Sequence, residues 1–274
     1  MWSTLKLAVA NWLRHRSTRL GAALAYYSVF SLGPLLLIVT SVAGLFLGAD
    51  DVRTALSGQF RTLLGESGSQ AVEAMLQGAG SAQSGRVTAI VGVVLFIVAA
   101  LGVVVQLKDA LNTIWETKEP DEAGVLWYVK TYVVSAAGVL ALEFLLAVSL
   151  VVSTILAALS TWLGVSSDTA MVWEVVNFIA SLAVLTLLFA MLFKWFPDTD
   201  VKWAHVWPGA FATAFLFSIG KMVIAWYIGS QGLESTYGAA ASLVVLLVWV
   251  YYSAQIVLFG AELTYAWSLT SASK

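Results

Sequence analysis

Six continuous apolar runs, at about 21–47, 87–107, 129–159, 172–193, 207–229 and 240–267, decide what this chain can fold into. A helix crosses a bilayer with about 20 mostly apolar residues. Hydrocarbon leaves no backbone polar group a water partner, so segments of this kind fold as helices. The runs are continuous and do not alternate, which excludes a β-barrel. Composition agrees: 60% of residues are hydrophobic and 11% charged, where a soluble domain carries about 25% charge. An ordinary soluble enzyme and a disordered chain are thereby excluded. The net charge of −2 gives no whole-protein electrostatic case for nucleic acid. With no cysteine, disulfides, thiolate catalysis and cysteine metal sites are ruled out. The expected fold is all-α, a single polytopic membrane domain over 1–274.

Orientation follows from Lys and Arg, which collect on the cytoplasmic side. With the N-terminus inside, Lys6, Arg14, Arg16, Arg19, Lys108, Lys118, Lys130, Lys194, Lys202 and Lys274 are cytoplasmic. Arg53, Arg61 and Arg86 lie opposite, in one long loop. Both termini are therefore expected in the cytoplasm. The first run follows Arg14, Arg16 and Arg19 and is too long for the apolar core of a signal peptide. Trp115, Trp195, Trp203, Trp207 and Trp267 fall near predicted span ends, where indole prefers to sit.

Two further elements are expected not to span. Within the cytoplasmic segment 1–20, Trp2, Leu5, Val9, Trp12 and Leu13 recur at helical spacing, which predicts an interfacial helix. In the external segment 49–86, Val52, Ala55, Leu56, Phe60, Leu63 and Leu64 repeat at three- to four-residue steps. Val72, Met75, Leu76 and Ala79 repeat likewise after a Gly-rich break. The pattern predicts an amphipathic helical hairpin between spans 1 and 2, either a cap on the bundle or a lid.

Ionisable groups inside a span cost at least about 2.5–3.5 kcal/mol at its centre, so they face protein or water. Glu143, Lys221 and Glu262 are such groups. A rise of about 1.5 Å per residue puts Glu143, Lys221 and Gln255 at one depth of roughly 18–21 Å. The same measure leaves Glu262 about 8 Å deep, in a shallower layer with Tyr26 and Tyr27. Tyr251 or Tyr252, Gln255, Phe259 and Glu262 share one face of the last span. Span 1 adds Tyr27, Ser31 and an expected kink at Gly33-Pro34. Two interpretations stay open: a polar pathway or head-group site, or a Glu143–Lys221 ion pair with Gln255 serving as packing glue. Loop charges around Pro120 (Glu116, Lys118, Glu119, Asp121, Glu122) and Pro197 (Lys194, Asp198, Asp200, Lys202, His205) read as solvated. They form no regular metal-ligand spacing, and no nucleotide or hydrolase motif lies in a usable setting. No catalytic residue, metal or cofactor is therefore assigned.

The chain resembles the YihY/BrkB family of integral membrane proteins along nearly its whole length. The likeness is carried by Ala22-Ala-Leu-Ala-Tyr-Tyr-Ser-Val-Phe-Ser-Leu-Gly-Pro34, Ala110-Leu-Asn-Thr-Ile-Trp115, Phe193-Lys-Trp-Phe-Pro-Asp198 and Trp207-Pro-Gly-Ala210. Tyr237-Gly-Ala-Ala and Tyr251-Tyr-Ser-Ala-Gln-Ile-Val-Leu-Phe-Gly-Ala-Glu-Leu-Thr264 complete it, and Lys221 matches a lysine of the family pattern. The resemblance implies six spans in the bacterial inner membrane with both termini cytoplasmic. Some members carry a virulence-factor label and others a ribonuclease label. Two histidines and short mixed-charge loops do not equip this chain for phosphodiester cleavage. The leading expectation is passage or export of an amphiphilic, anionic envelope molecule such as a lipid. A membrane scaffold or assembly partner is the alternative. Expected partners are membrane lipids and not nucleic acid, with a homo-oligomer left open. The pathway residues are Tyr26, Tyr27, Ser31, Glu143, Lys221, Tyr252, Gln255 and Glu262.

Topology is testable by cysteine labelling in intact cells. Cysteines placed at Ser3, Thr117, Thr199 and Ser271 are expected to resist an impermeant thiol reagent, while those at Ser67, Ser167 and Ser235 react. Labelling of Thr117 or Thr199 from outside would break the six-span topology.

Overall fold

The computed structural model describes residues 2–48, 50–58, 61, 69–70, 73–74, 102–117, 170–230 and 241–272. Regular structure among the described residues is entirely helical: α1 (Trp2–Arg14), α2 (Ser17–Leu47), α3 (50–58), α4 (102–114), α5 (Ala170–Trp195), α6 (Trp203–Ser230) and α7 (Ala241–Ala272). Two stretches, Val175–Trp195 and Leu243–Ser271, are long and apolar enough to cross a membrane. They coincide with the predicted spans at 172–193 and 240–267. The expected span 129–159, Glu143 and most of the second run lie outside the described residues, as does most of the segment 49–86. Within that segment the Ser57 hydroxyl lies 3.2 Å from Ser69 Oγ and donates to Glu73 at 2.7 Å.

Side-chain exposure separates an outer from an inner face of the helices. On α6, Trp203, Trp207, Phe211, Phe215, Ile219 and Val223 are all exposed and recur every fourth residue, forming one ridge. The opposite face buries Val206, Ala210, Thr213 and Ala214. A helix that is apolar all round thus divides by side-chain size: large groups face outward and small ones inward. Trp195, Trp203 and Trp207 are exposed at neighbouring helix ends, with ring centroids 6.0 and 6.2 Å apart along the series. Such an indole cluster suits a membrane–water boundary.

The chain divides into two compact units, to both of which α6 and α7 contribute. One comprises Met1–Arg16, Lys108–Ser218 and Ile256–Lys274. Its centre is a close crossing of α6 and α7. A Cβ on Gly209 would stand 2.6 Å from the Gly260 carbonyl oxygen and overlap Thr264 Oγ1. A Cβ on Gly260 would overlap Thr213 Oγ1 and come within 3.2 Å of Phe193. Thr213 and Thr264 donate their hydroxyls to Gly209 and Gly260 carbonyls on their own helices, at 2.7 and 2.9 Å. No polar atom is stranded by the contact. Small residues at four-residue spacing are what let helices meet without a hydrophobic driving force between them.

In the same unit α1 lies antiparallel to the end of α7, with Thr4 Oγ1 3.4 Å from Thr270 Oγ1. It buries Thr4, Ala8 and Asn11 and exposes Trp2, Leu5, Val9 and Leu13. The helix docks on protein by its small polar face and leaves its apolar face outward, as a helix at a bilayer surface does.

The second unit comprises Ser17–Leu107 and Ile219–Gln255. Val29 of α2 and Leu246 of α7 form its buried core, surrounded by Leu32, Leu247, Trp249 and Val250. The Tyr27 ring covers Gly102, and Tyr252 packs on Gly220 so closely that a Cβ there would overlap the ring. The helix assignment continues unbroken through Gly33-Pro34.

The α6–α7 crossing predicts an inverted response to alanine. In an ordinary helix interior Gly→Ala gains about 1 kcal/mol. Gly209→Ala and Gly260→Ala are instead expected to lower the melting temperature in detergent. Gly58→Ala, which meets nothing within 4 Å, is expected to leave it unchanged or raise it. Neutral Gly209 and Gly260 variants would show that the helices do not meet there.

Candidate functional site

Among the described residues, the densest polar cluster lies where the ends of α1 and α4 meet α7. Alpha-helix α1 stops at Arg14, and Arg16 takes a left-handed conformation (φ 53°). Helix α4 stops in the same way: Glu116 has φ 51°, Glu116 N–H bonds the Thr113 carbonyl at 3.2 Å, and Thr117 N–H bonds that of Asn112 at 3.0 Å. This is a Schellman ending with glutamate where glycine is usual. A left-handed non-glycine residue costs of order 1–3 kcal/mol, and such positions gather at functional sites. Both flank one network here.

At its centre is His15, whose side chain is 8% exposed. Its Nδ1 lies 2.8 Å from Glu262 Oε1, and Glu262 is 0% exposed. Its Nε2 lies 3.4 Å from Glu116 Oε1, a carboxylate 48% exposed, and 3.3 Å from Arg14 Nη2. Arg14 also pairs directly with Glu116. Tyr265 of α7 completes the wall, with its ring 6.4 Å from both His15 and Trp115. The chain of groups runs from water to a fully buried carboxylate. An uncompensated buried carboxylate is costly enough that it demands a donor such as His15.

A second cluster joins α4 to the turn after α5. Lys108 and Asn112, one turn apart, both reach Asp198: Lys108 Nζ at 2.8 Å from Oδ1 and Asn112 Nδ2 at 2.9 Å from Oδ2. Asn112 Oδ1 accepts the Asp198 backbone N–H at 2.8 Å. Two residues on, Asp200 bonds Lys194 at 2.6 Å. That hydrogen bond, with the charges of Lys194 and then Lys202, holds the Asp200 carboxyl below the usual carboxylate range against a small opposing effect of burial. Asp200 is 92% exposed, as the solvated-loop reading expects. Asp198 and Glu116 are exposed as well, at 42% and 48%, and tertiary packing brings Lys108 and Arg14 against them.

Each sequence-predicted pathway residue that the structure describes has surroundings within its own unit. Glu262 bonds His15 in the first unit. Gln255 Nε2 sits 3.4 Å from the Ser17 and Thr18 carbonyls at the start of α2, while its buried Oε1 meets no hydrogen-bond partner among the described residues. Tyr26 and Tyr27 are exposed and meet edge-to-face at 5.6 Å. Ser31 is buried and donates to the Ser28 carbonyl of its own helix at 2.9 Å. Tyr252 reaches the turn of α6 that carries Lys221, by way of Gly220. Glu143 lies outside the described residues, so the proposed Glu143–Lys221 pair has no geometry here. His15 was not among the candidates. Its signal is the stripe Thr4, Ala8, Asn11, His15, a small polar face at helical spacing opposite the apolar one.

A family profile described as virulence factor BrkB matches residues 8–274. Among curated relatives, a UPF0761 membrane protein of Pseudoalteromonas atlantica is 28% identical over 247 residues, covering 88% of this chain and 78% of its own. One from Vibrio vulnificus is 30% identical over 254 residues, covering 89% and 75%. One from Pseudomonas paraeruginosa is 30% identical over 264 residues, covering 93% of this chain and 61% of its own length. The chain thus spans under two thirds of some relatives it matches. No solved structure matches.

The two loop aspartates predict different costs. Lys108 is 7% exposed and Asp198 42%. Asp198→Ala is expected to destabilise by roughly 2–3 kcal/mol, because it strands a buried ammonium and Asn112. Asp200→Ala is expected to leave the unfolding midpoint unchanged, as exposed pairs do. Chemical denaturation in detergent measures both, and equal costs would contradict the burial asymmetry.

Proposed function

The chain belongs to the virulence factor BrkB family, and from that premise we propose that it moves or exports an amphiphilic, anionic envelope molecule such as a lipid. The passage is a polar layer inside the helix bundle, in a bacterial inner membrane, with both termini cytoplasmic. One observation supports this most: α7 is apolar enough to cross a membrane, yet carries a fully buried carboxylate, Glu262, and a buried amide oxygen on Gln255 that meets no partner among the described residues. Polar groups at such positions are expensive and commonly mark pathways. Lys221, on the turn of α6 packed by Tyr252, supplies a cation for an anionic head group. The exposed apolar and aromatic faces of α1, α2 and α6 suit the acyl chains.

The relatives carry the name membrane protein, which specifies no cargo. A second reading, a non-transporting scaffold, is favoured by the bond between Glu262 and His15, since a satisfied carboxylate can serve packing alone. Comparing stability with activity separates the two. Lys221→Met and Glu262→Gln in vesicles carrying labelled phosphatidylglycerol are expected to slow lipid movement at least tenfold, equivalent to about 1.4 kcal/mol of barrier. Melting temperature should stay near that of the parent. Loss of activity in step with loss of folded protein would favour the scaffold, and fully active variants would remove both residues from the pathway.

A further inference from the structure

We propose that His15 is a proton-exchange residue that loads and unloads Glu262 from the cytoplasmic side, making the proton the ion bound by this site. The reading of Glu262 as part of a passage, given above, links this exchange to transport. The proton site itself stands on geometry alone.

The geometry lies in the two faces of one imidazole. Among the described residues Nδ1 meets one hydrogen-bond partner, Glu262 Oε1 at 2.8 Å. Nε2 has two of opposite character: the donor Arg14 Nη2 at 3.3 Å and the acceptor Glu116 Oε1 at 3.4 Å. A neutral histidine with its proton on Nδ1 donates to Glu262 and accepts from Arg14. An imidazolium donates to Glu262 and to Glu116. Both protonation states therefore find their hydrogen bonds without any backbone movement. A histidine serving only to satisfy Glu262 requires no acceptor at Nε2.

Exposure gives the direction of exchange. It falls from 48% at Glu116 to 8% at His15 and 0% at Glu262, so water reaches one end of the chain and not the other. The charged and titratable groups facing His15 come from each packed element: Arg14 from α1, Glu116 from the end of α4, and Glu262 and Tyr265 from α7. Loading begins when a proton from cytoplasmic water forms a bond with Nε2. The imidazolium then passes its Nδ1 proton to Glu262. One N–H bond breaks, one O–H bond forms, and the products are a neutral imidazole protonated at Nε2 and a neutral carboxylic acid. The reverse sequence unloads Glu262 and returns the original tautomer. Histidine suits the task because its charge changes in the physiological pH range. The left-handed residues Arg16 and Glu116 fix the two chain ends that carry it.

The test is 15N-histidine NMR of the full chain in detergent micelles between pH 5 and 8. The sequence holds two histidines, so His205→Asn leaves one signal set, from His15. The expected result is an Nδ1–H tautomer at high pH that becomes doubly protonated at low pH. Glu262→Gln removes the carboxylate that accepts from Nδ1 and should reduce the share of the Nδ1–H tautomer at high pH. A His15 that stays in one protonation state across this range, or a tautomer indifferent to Glu262→Gln, overturns the proposal. In vesicles with labelled phosphatidylglycerol, His15→Asn is expected to flatten the pH dependence of lipid movement. An unchanged pH profile there overturns the link to transport. Wild-type protein that moves no lipid at any pH would instead sink the transport reading, and the NMR result would still decide the proton site.

Discussion

Hydrocarbon is the solvent that governs this chain. It offers no hydrogen bond to any group, so each polar atom in a span must find its partner within the protein. The backbone meets that demand by becoming helix. Buried hydroxyls meet it locally: Ser31, Thr186, Thr213, Ser218 and Thr264 each donate to a carbonyl three or four residues earlier. Side chains too polar for that solution need a partner from another element. His15, supplied by α1, does this for Glu262.

The same solvent removes the ordinary reason for helices to associate, since lipid tails are as apolar as leucine. Contact must come from shape. Gly209 with Thr213 and Gly260 with Thr264 let α6 and α7 approach to backbone distance, while the large side chains of α6 stand outward in one ridge. This crossing lies in the same unit as the His15–Glu262 bond, and Gly260 is two residues from Glu262 on α7. Close packing on one face of the helix thus stands beside the polar network on another.

Burial rather than charge separates the ion pairs. Lys194–Asp200 and Lys108–Asp198 have nearly the same length, 2.6 and 2.8 Å. One is held by an almost fully exposed carboxylate. The other neutralises a lysine withdrawn from water, and Asn112 braces it from both sides. Coulomb attraction in a low-dielectric setting, and the cost of leaving a buried charge alone, make the second the structural one.

Helix content, the two described candidate spans and the amphipathic character of α1 were legible in the sequence, because apolar run length and 3.6-residue periodicity are local properties. The importance of Glu262 was legible too, since a charge inside an apolar run is conspicuous by itself. Its partner was not. His15 and Glu262 are separated by 247 positions, and no periodicity reports which helix end closes against which. Depth arithmetic placed Gln255 along its own helix, but its contact with the Ser17 carbonyl at the start of α2, 238 positions away, is a matter of packing. Asp198 and Glu116 are exposed, as their loop positions suggest, but the cations that pair with them, Lys108 and Arg14, were set there by packing. Sequence alone determined that the two candidate spans are apolar enough to leave water, since transfer free energy sums along the chain. Tertiary structure decided which polar groups leave with them and in whose company, since a hydrogen bond depends on distance and direction between residues remote in sequence.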